Sequence, residues 1–190
     1  PAMTSPPAVR LRTKVRAADR YAVRAIVESS GFFSAEEIDI AVELVDETLK
    51  RGDASGYRFV FADEGRRTVG YTCYGEIPGT TGSFDLYWIA VRAALRGGGV
   101  GQQLLADTEA RIRAAGGRHV YAETSSRAQY EPTRGFYLRC GYTVAATFPD
   151  YYAPGDGKVV FVKRFDTAPA DTAPADTAPA DTAPTVTASR

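Results

Sequence analysis

Arg96-Gly97-Gly98-Gly99-Val100-Gly101 is the stretch whose residue types point most directly to chemistry. Three adjacent glycines let a backbone approach a ligand with no Cβ in the way, in conformations that other residues avoid. The run lies between a strand-like segment, residues 84–91, and a helix-like segment, residues 102–115. At such a junction the exposed N–H groups of the turn and first helical turn, together with the helix dipole, make an anion site suited to a pyrophosphate. Residues 96–102 are therefore expected to hold a phosphate-bearing cofactor. No Gly-Lys-Ser/Thr follows the run, so the P-loop reading fails. Gln102 stands where a Gly-x-Gly-x-x-Gly dinucleotide fingerprint needs its third glycine, which makes that fold unlikely too.

The elements that must position this loop can be read from periodicity. Val9 to Val15 alternates apolar and basic residues, with Arg10, Arg12 and Lys14 on the outer face of an expected strand. Residues 17–29 read as a short helix. Ser34-Ala35-Glu36-Glu37 is a capping box opening a helix that carries Ile38, Ala41, Val42, Val45 and Leu49 on one face and stops near Gly52. Strands are expected over 57–62 and 67–74, joined by the hairpin signal Asp63-Glu64-Gly65, and over 84–91. After the glycine loop, a helix places Val100, Leu104, Thr108, Ile112 and Ala115 on one side and ends at Gly116-Gly117. A strand over 118–124, a helix opened by Pro132, and closing strands over 142–148 and 158–165 complete the order β-α-α-β-β-β-α-β-α-β-β. The fold class is α/β: a mixed, mostly antiparallel sheet with one parallel, right-handed βαβ crossover around the glycine loop.

Composition bounds the rest. Residues 9–165 are the size of one domain. Residues 1–8 are proline-rich and expected to be flexible, with Met3 the natural start. The segment from 166 to 190 repeats Asp-Thr-Ala-Pro-Ala and is expected to be disordered, because it has almost nothing to bury. Lys+Arg and Asp+Glu are equal at 23 each, so no net field draws the chain to nucleic acid or a membrane surface. No signal peptide is visible and the longest apolar run is too short for a membrane span, so a cytoplasmic protein is expected. Cys73 and Cys140 are expected to fill core space rather than pair. The single histidine, His119, makes no His-rich metal cluster and leaves little room for a Ser-His-Asp triad; no metal is expected.

Arg96-x-x-Gly99-x-Gly101 after a strand ending Ile89-Ala90-Val91, followed by Phe136-Tyr137-Leu138-Arg139-Cys140-Gly141-Tyr142, resembles the two signatures of the GNAT N-acetyltransferase family. The element order agrees, so the resemblance covers the whole of 9–165. It implies acetyl-CoA as co-substrate, bound where the strand 84–91 splays from the strand 118–124. Backbone groups near Ile89 and Val91 would pair with the pantetheine arm. Arg96, the N–H groups of Gly97, Gly98, Gly99, Val100 and Gly101, and Gln102 would hold the pyrophosphate. Tyr137 falls on the position of the usual general acid. Asp85 falls where some members carry a glutamate base, although the shorter side chain favours a water relay; Glu123 and Glu76 are rival carboxylates, and the other reading of Asp85 is a solvent-facing strand residue. Tyr130 departs from an asparagine common in the family, so pantetheine contacts are expected instead from Thr124, Ser125 or Ser126.

The implied reaction is acetyl transfer to a primary amine by direct attack through a tetrahedral intermediate. The other readings are an acyl-CoA sensor without turnover and a protein acetyltransferase. Residues 148–156, read as a loop, are rich in aromatics and acids, and Phe32, Phe33, Tyr74, Tyr87 and Trp88 add aromatic surface. Such a surface suits a cationic amine, small or amino-acid-like. A homodimer is the candidate assembly.

Overall fold

The computed structural model describes residues 8–165. The flexible start expected over 1–8, apart from Ala8, and the repeat tail expected to be disordered lie outside the described residues. The elements are β1 (Arg10–Arg12), α1 (Asp19–Glu28), α2 (Ala35–Arg51), β2 (Arg58–Glu64), β3 (Arg67–Glu76), β4 (Ser83–Val91), α3 (Val100–Ala114), β5 (His119–Ser125), α4 (Glu131–Arg139), β6 (Thr143–Ala153) and β7 (Asp156–Arg164). Seven strands form one sheet in the order β1-β2-β3-β4-β5-β7-β6. Every neighbouring pair is antiparallel except β4 and β5. That one parallel pair is joined by the glycine loop and α3, as the sequence predicts.

Helices cover the two faces unequally. Val23, Ile26 and Val27 of α1 and Ile38, Ala41 and Val45 of α2 pack on Phe59, Phe61, Tyr71 and Cys73 of β2 and β3. On the opposite face Val100, Leu104, Leu105 and Ile112 of α3 and Tyr137 of α4 pack on Val60, Phe84, Leu86, Val120 and Phe161. The α3 pattern follows the expected stripe, with Ala115 exposed beyond the helix end. A buried hydrogen bond between the Thr72 and Thr108 hydroxyls, 2.7 Å, fixes α3 to β3. The capping box forms as read: Glu37 N–H donates to Ser34 Oγ and Ser34 N–H donates to Glu37 Oε2.

Two expectations need correction. The first strand is only Arg10–Arg12, and the chain then crosses the sheet edge: Val9 and Leu11 pack on the α3 side, Val15 on the α1 side. Arg12 does not face solvent. Its guanidinium is buried, paired with Asp19 and Asp63, and lies 4.3 Å from the Phe61 ring centroid. Secondly, residues 148–156 are not a loop. β6 runs through Phe148, Tyr151 and Tyr152 to Ala153, and only a tight turn at Pro154-Gly155 separates it from β7. The tyrosines therefore stand on an edge strand. Cys73 is buried as expected, whereas Cys140 is only half-buried.

Candidate active site

The glycine loop presents unpaired donors. Gly97 and Gly99 have φ of +78° and +84°, the left-handed region where a Cβ is strained. Gly99 is the N-cap of α3 and, having no side chain, cannot satisfy the first helical N–H groups itself. Gly98 N–H is taken by Leu95 O and Gln103 N–H by Gly99 O. The N–H groups of Gly97, Gly99, Val100, Gly101 and Gln102 donate to no protein acceptor among the described residues. They stand at the positive end of a 15-residue helix, beside the exposed Arg96. These residues fit a diphosphate: several donors, one cation and an open approach, since a Cβ at Gly97 would meet nothing within 4 Å. Ala93 N–H donates to Ser29 Oγ at 3.2 Å, which ties the turn before the loop to the end of α1.

Beside the loop, β4 loses its parallel partner. The register runs from Ser83 opposite His119 to Leu86 opposite Ala122 and stops. On its other side β4 continues to pair with β3 as far as Val91 opposite Gly70. The register slips between Cys73 and Tyr74, leaving Tyr87 as an extra residue on β4. Gly75 makes room for it, because a Cβ there would lie 3.1 Å from the Tyr87 ring and 2.3 Å from Gly56 O. β5 is held away by its own neighbours. It pairs with β7 to Ser125 opposite Lys158, and Arg134 of α4 donates to Ser125 O at 2.8 Å. From Tyr87 to Val91, including Ile89, one backbone edge of β4 thus has no strand partner.

The predicted side chains fall around this splay with different freedoms. Tyr137 is 4 % exposed, with its ring 5.4 Å from Tyr142 and 5.3 Å from Phe161. Burial pushes its phenol well above the ordinary tyrosine value, with Cys140 adding to the shift. Its hydroxyl makes no hydrogen bond among the described residues. Phe136, the preceding residue, sits against the first turn of α3, 3.5 Å from where a Gly101 Cβ would be. Ser125 is buried and its hydroxyl is already engaged, donating to Asp156 Oδ1 at 2.5 Å and accepting from Arg127 N–H at 3.1 Å. Asp85 is partly buried, with its carboxyl held above the usual aspartate value by burial and then by the nearby charge of Glu123. Glu123 is exposed and bound to Lys158 at 3.1 Å.

An aromatic strap crosses the open end. Phe33, in the α1–α2 connection, lies 5.1 Å from Trp88 on β4 and 6.4 Å from Tyr130 at the start of α4. Phe32 is 5.9 Å from Tyr130 and carries the Arg96 guanidinium at 5.3 Å. Tyr130, the departure from the family's asparagine, is buried in this contact. A groove of about 720 Å³, lined by Thr48, Tyr57, Arg58, Tyr74 and Arg111 among others, lies at the far end of α3 from the glycine loop and takes no part in this arrangement.

The family model for an acetyltransferase (GNAT) domain matches residues 55–144. A GNAT-family acetyltransferase structure from Desulfovibrio desulfuricans is 46% identical, with 83% of this chain and 99% of that chain covered, and a TM-score of 0.81. This chain belongs to the GNAT acetyltransferase family. More distant structures share the GNAT fold. An aminoglycoside 6'-N-acetyltransferase complexed with coenzyme A is 15% identical over 85% of this chain and 99% of that one, TM-score 0.68. A ribosomal-protein-alanine N-acetyltransferase from Brucella melitensis is 20% identical over 82% and 99%, TM-score 0.67. No curated protein matches the sequence.

Lys158 is the site residue that sequence reasoning missed. The alternation of β7 puts Lys158 and Val160 on one face, but only the β5–β7 register shows that this face is shared with Glu123.

Proposed function

We propose that the protein transfers an acetyl group from acetyl-CoA to the primary amine of a small molecule. The unpaired N–H cradle of residues 97–102, placed directly beside the unpartnered edge of β4, carries this reading. Related structures contain coenzyme A, which supports the choice of donor. The cradle and Arg96 bind the diphosphate. The free edge of β4 around Ile89 and Val91 lines up the amide-bearing pantetheine arm as a strand would. Ser125, with its hydroxyl committed to Asp156, supports the opposite wall rather than reaching the arm.

Attack of the amine nitrogen on the thioester carbon gives a tetrahedral oxyanion, and breaking the C–S bond then releases the CoA thiolate. An N–H on the free β4 edge stabilises the oxyanion. Tyr137, protonated at neutral pH, gives its phenolic proton to the sulfur as the C–S bond breaks. The attacking amine must first lose a proton. A lysine-like amine of pKa ~10.4 is neutral in about one molecule in 2,500 at pH 7, a deficit of roughly 4.6 kcal/mol. Asp85 takes that proton through water, and its raised pKa makes it a better base than an ordinary aspartate.

The test is a thermal-shift titration with acetyl-CoA followed by incubation with a pooled amine library and mass detection of products. Stabilisation and acetylated small amines are expected. No stabilisation at saturating acetyl-CoA would sink the donor assignment. Products confined to protein N-termini or lysines would sink the small-molecule acceptor.

A further inference from the structure

The half of the sheet that α1 and α2 leave bare carries a specific balance of charge. Asp85 lies opposite Tyr121 on β5, and Glu123, two residues on, shares that face. Lys158 lies two residues from Val160, the partner of Glu123, and so faces the same way. Its ammonium is 3.1 Å from Glu123, 4.2 Å from the Tyr151 ring centroid and 5.6 Å from that of Phe148. Glu123 is therefore neutralised within the protein. Asp85 has no hydrogen bond and no ion pair among the described residues, while burial already works against its charge. Two carboxylates and one ammonium leave a single uncompensated negative charge beside the splay.

The rest of this surface is aromatic. Tyr87 and Tyr152 are 40 % and 50 % exposed, and Trp88 is partly exposed beside Phe33. Tyr152 is near enough to Glu123 and Lys158 to feel both charges. Tyr87 is likewise near Asp85. A lone carboxylate amid flat apolar rings is complementary to one ammonium on an aryl or apolar body. It is poorly matched to a polycation. A second ammonium placed on the Lys158 side of the Lys158–Glu123 pair would meet a like charge and be disfavoured.

We propose that the acceptor is an arylalkyl monoamine, with its ammonium facing Asp85 and its ring on the exposed aromatic surface next to it, Tyr87 first, and that Lys158 disfavours a second ammonium on its side of the Glu123 pair. This inference rests on the acetyl-transfer reading above, and it names the substrate class of the same site. It separates this chain from the aminoglycoside-modifying proteins that share its fold.

The experiment compares kcat/KM for phenethylamine, a diamine of similar length, kanamycin and an alanine-starting peptide, using the full chain and acetyl-CoA. Phenethylamine is expected to exceed each of the others at least tenfold. Asp85→Asn should raise KM for phenethylamine about tenfold or more while leaving the acetyl-CoA thermal shift unchanged. Lys158→Met should raise the diamine-to-phenethylamine ratio at least fivefold, a change of selectivity that mere loosening of β7 would not produce. A preference for kanamycin or the peptide, or no turnover of phenethylamine, with the acetyl-CoA shift intact, overturns the acceptor class and leaves the donor site standing. Loss of both turnover and shift in the parent protein overturns both. An unchanged ratio in Lys158→Met removes Lys158 from the proposal.

Discussion

The Arg96 guanidinium lies 5.3 Å from the centre of the Phe32 ring, so the cation of the donor loop rests on the segment that joins α1 to α2. Phe32 in turn touches Tyr130, and its neighbour Phe33 touches Trp88. One short connection thereby links the glycine loop to β4 and the start of α4.

Arg96 is exposed, and its stacking on Phe32 is worth only about 0.5–1 kcal/mol. A charge-assisted hydrogen bond to phosphate is worth about 1.5–3 kcal/mol, so the guanidinium should leave the ring for a diphosphate. Arg96→Gln is expected to weaken acetyl-CoA binding about tenfold by calorimetry, with the melting temperature of the free protein nearly unchanged. Equal affinity in the variant would contradict the role.

Tyr137→Phe should lower kcat by about 10²–10⁴-fold with acetyl-CoA affinity retained. The phenol makes no hydrogen bond in the described residues and its ring is packed on Tyr142 and Phe161, so the truncated side chain still fills its place. Thermal unfolding of the variant should therefore match the parent. A variant with full kcat would show that another donor protonates the sulfur.

The pH profile should report Asp85. Its folded pKa is raised above the ordinary aspartate value, so kcat/KM measured against pH should show an acid limb displaced upward from that value. Asp85→Asn should abolish this limb. Because an aspartate with a raised folded pKa costs stability as pH climbs through that pKa, the same variant should melt higher than the parent at pH 7 and converge with it in acid. Tyr137 is shifted upward by burial, so it should add no basic limb below about pH 10.

Arg12 joins two buried carboxylates, Asp19 and Asp63, and their side chains are 9 %, 3 % and 5 % exposed respectively. Arg12→Met would leave Asp19 with no ion pair and Asp63 with only Arg16 at 3.8 Å, at an expected cost of about 3 kcal/mol in urea unfolding. Asp63 is held below the usual carboxylate value by its bonds to Arg12 and Thr68, against the effect of burial. Its contribution is complete above the unfolded aspartate pKa and is lost as pH falls through the lowered one. The parent should thus show an acid-labile component that Asp63→Asn lacks.

How much of this was legible beforehand varied with the range of the interaction. The capping box at Ser34 and Glu37, the βαβ crossover and the glycine turn that opens α3 were readable because each is built from consecutive residues. The pairing of Arg12 was not readable, because alternation gives only the face it shares with Arg10 and Lys14. Its partner Asp63, 51 residues away in sequence, becomes its neighbour only when β1 pairs with β2. The segment 148–156 was read as a loop because its prolines, glycine and acids are turn-forming. Pairing of Phe148 with Lys158 and of Ala153 with Asp156 holds its ends on β7, while residues 149–152 bulge between them with Asp150 at φ +53°.

The sequence by itself determined the loop proposed to hold the donor. A strand, three glycines and a helix start leave free N–H groups at the helix end, since those groups belong to the backbone of the string itself. Only the tertiary structure decided the charge pattern of the face proposed to take the acceptor. Whether Asp85 stands unpaired, and whether Glu123 is neutralised by Lys158 35 residues later, depends on which strands lie side by side and in what register. In a sheet the side-chain period is two, so a slip of one residue would turn Lys158 to the opposite face and change the charge of the site.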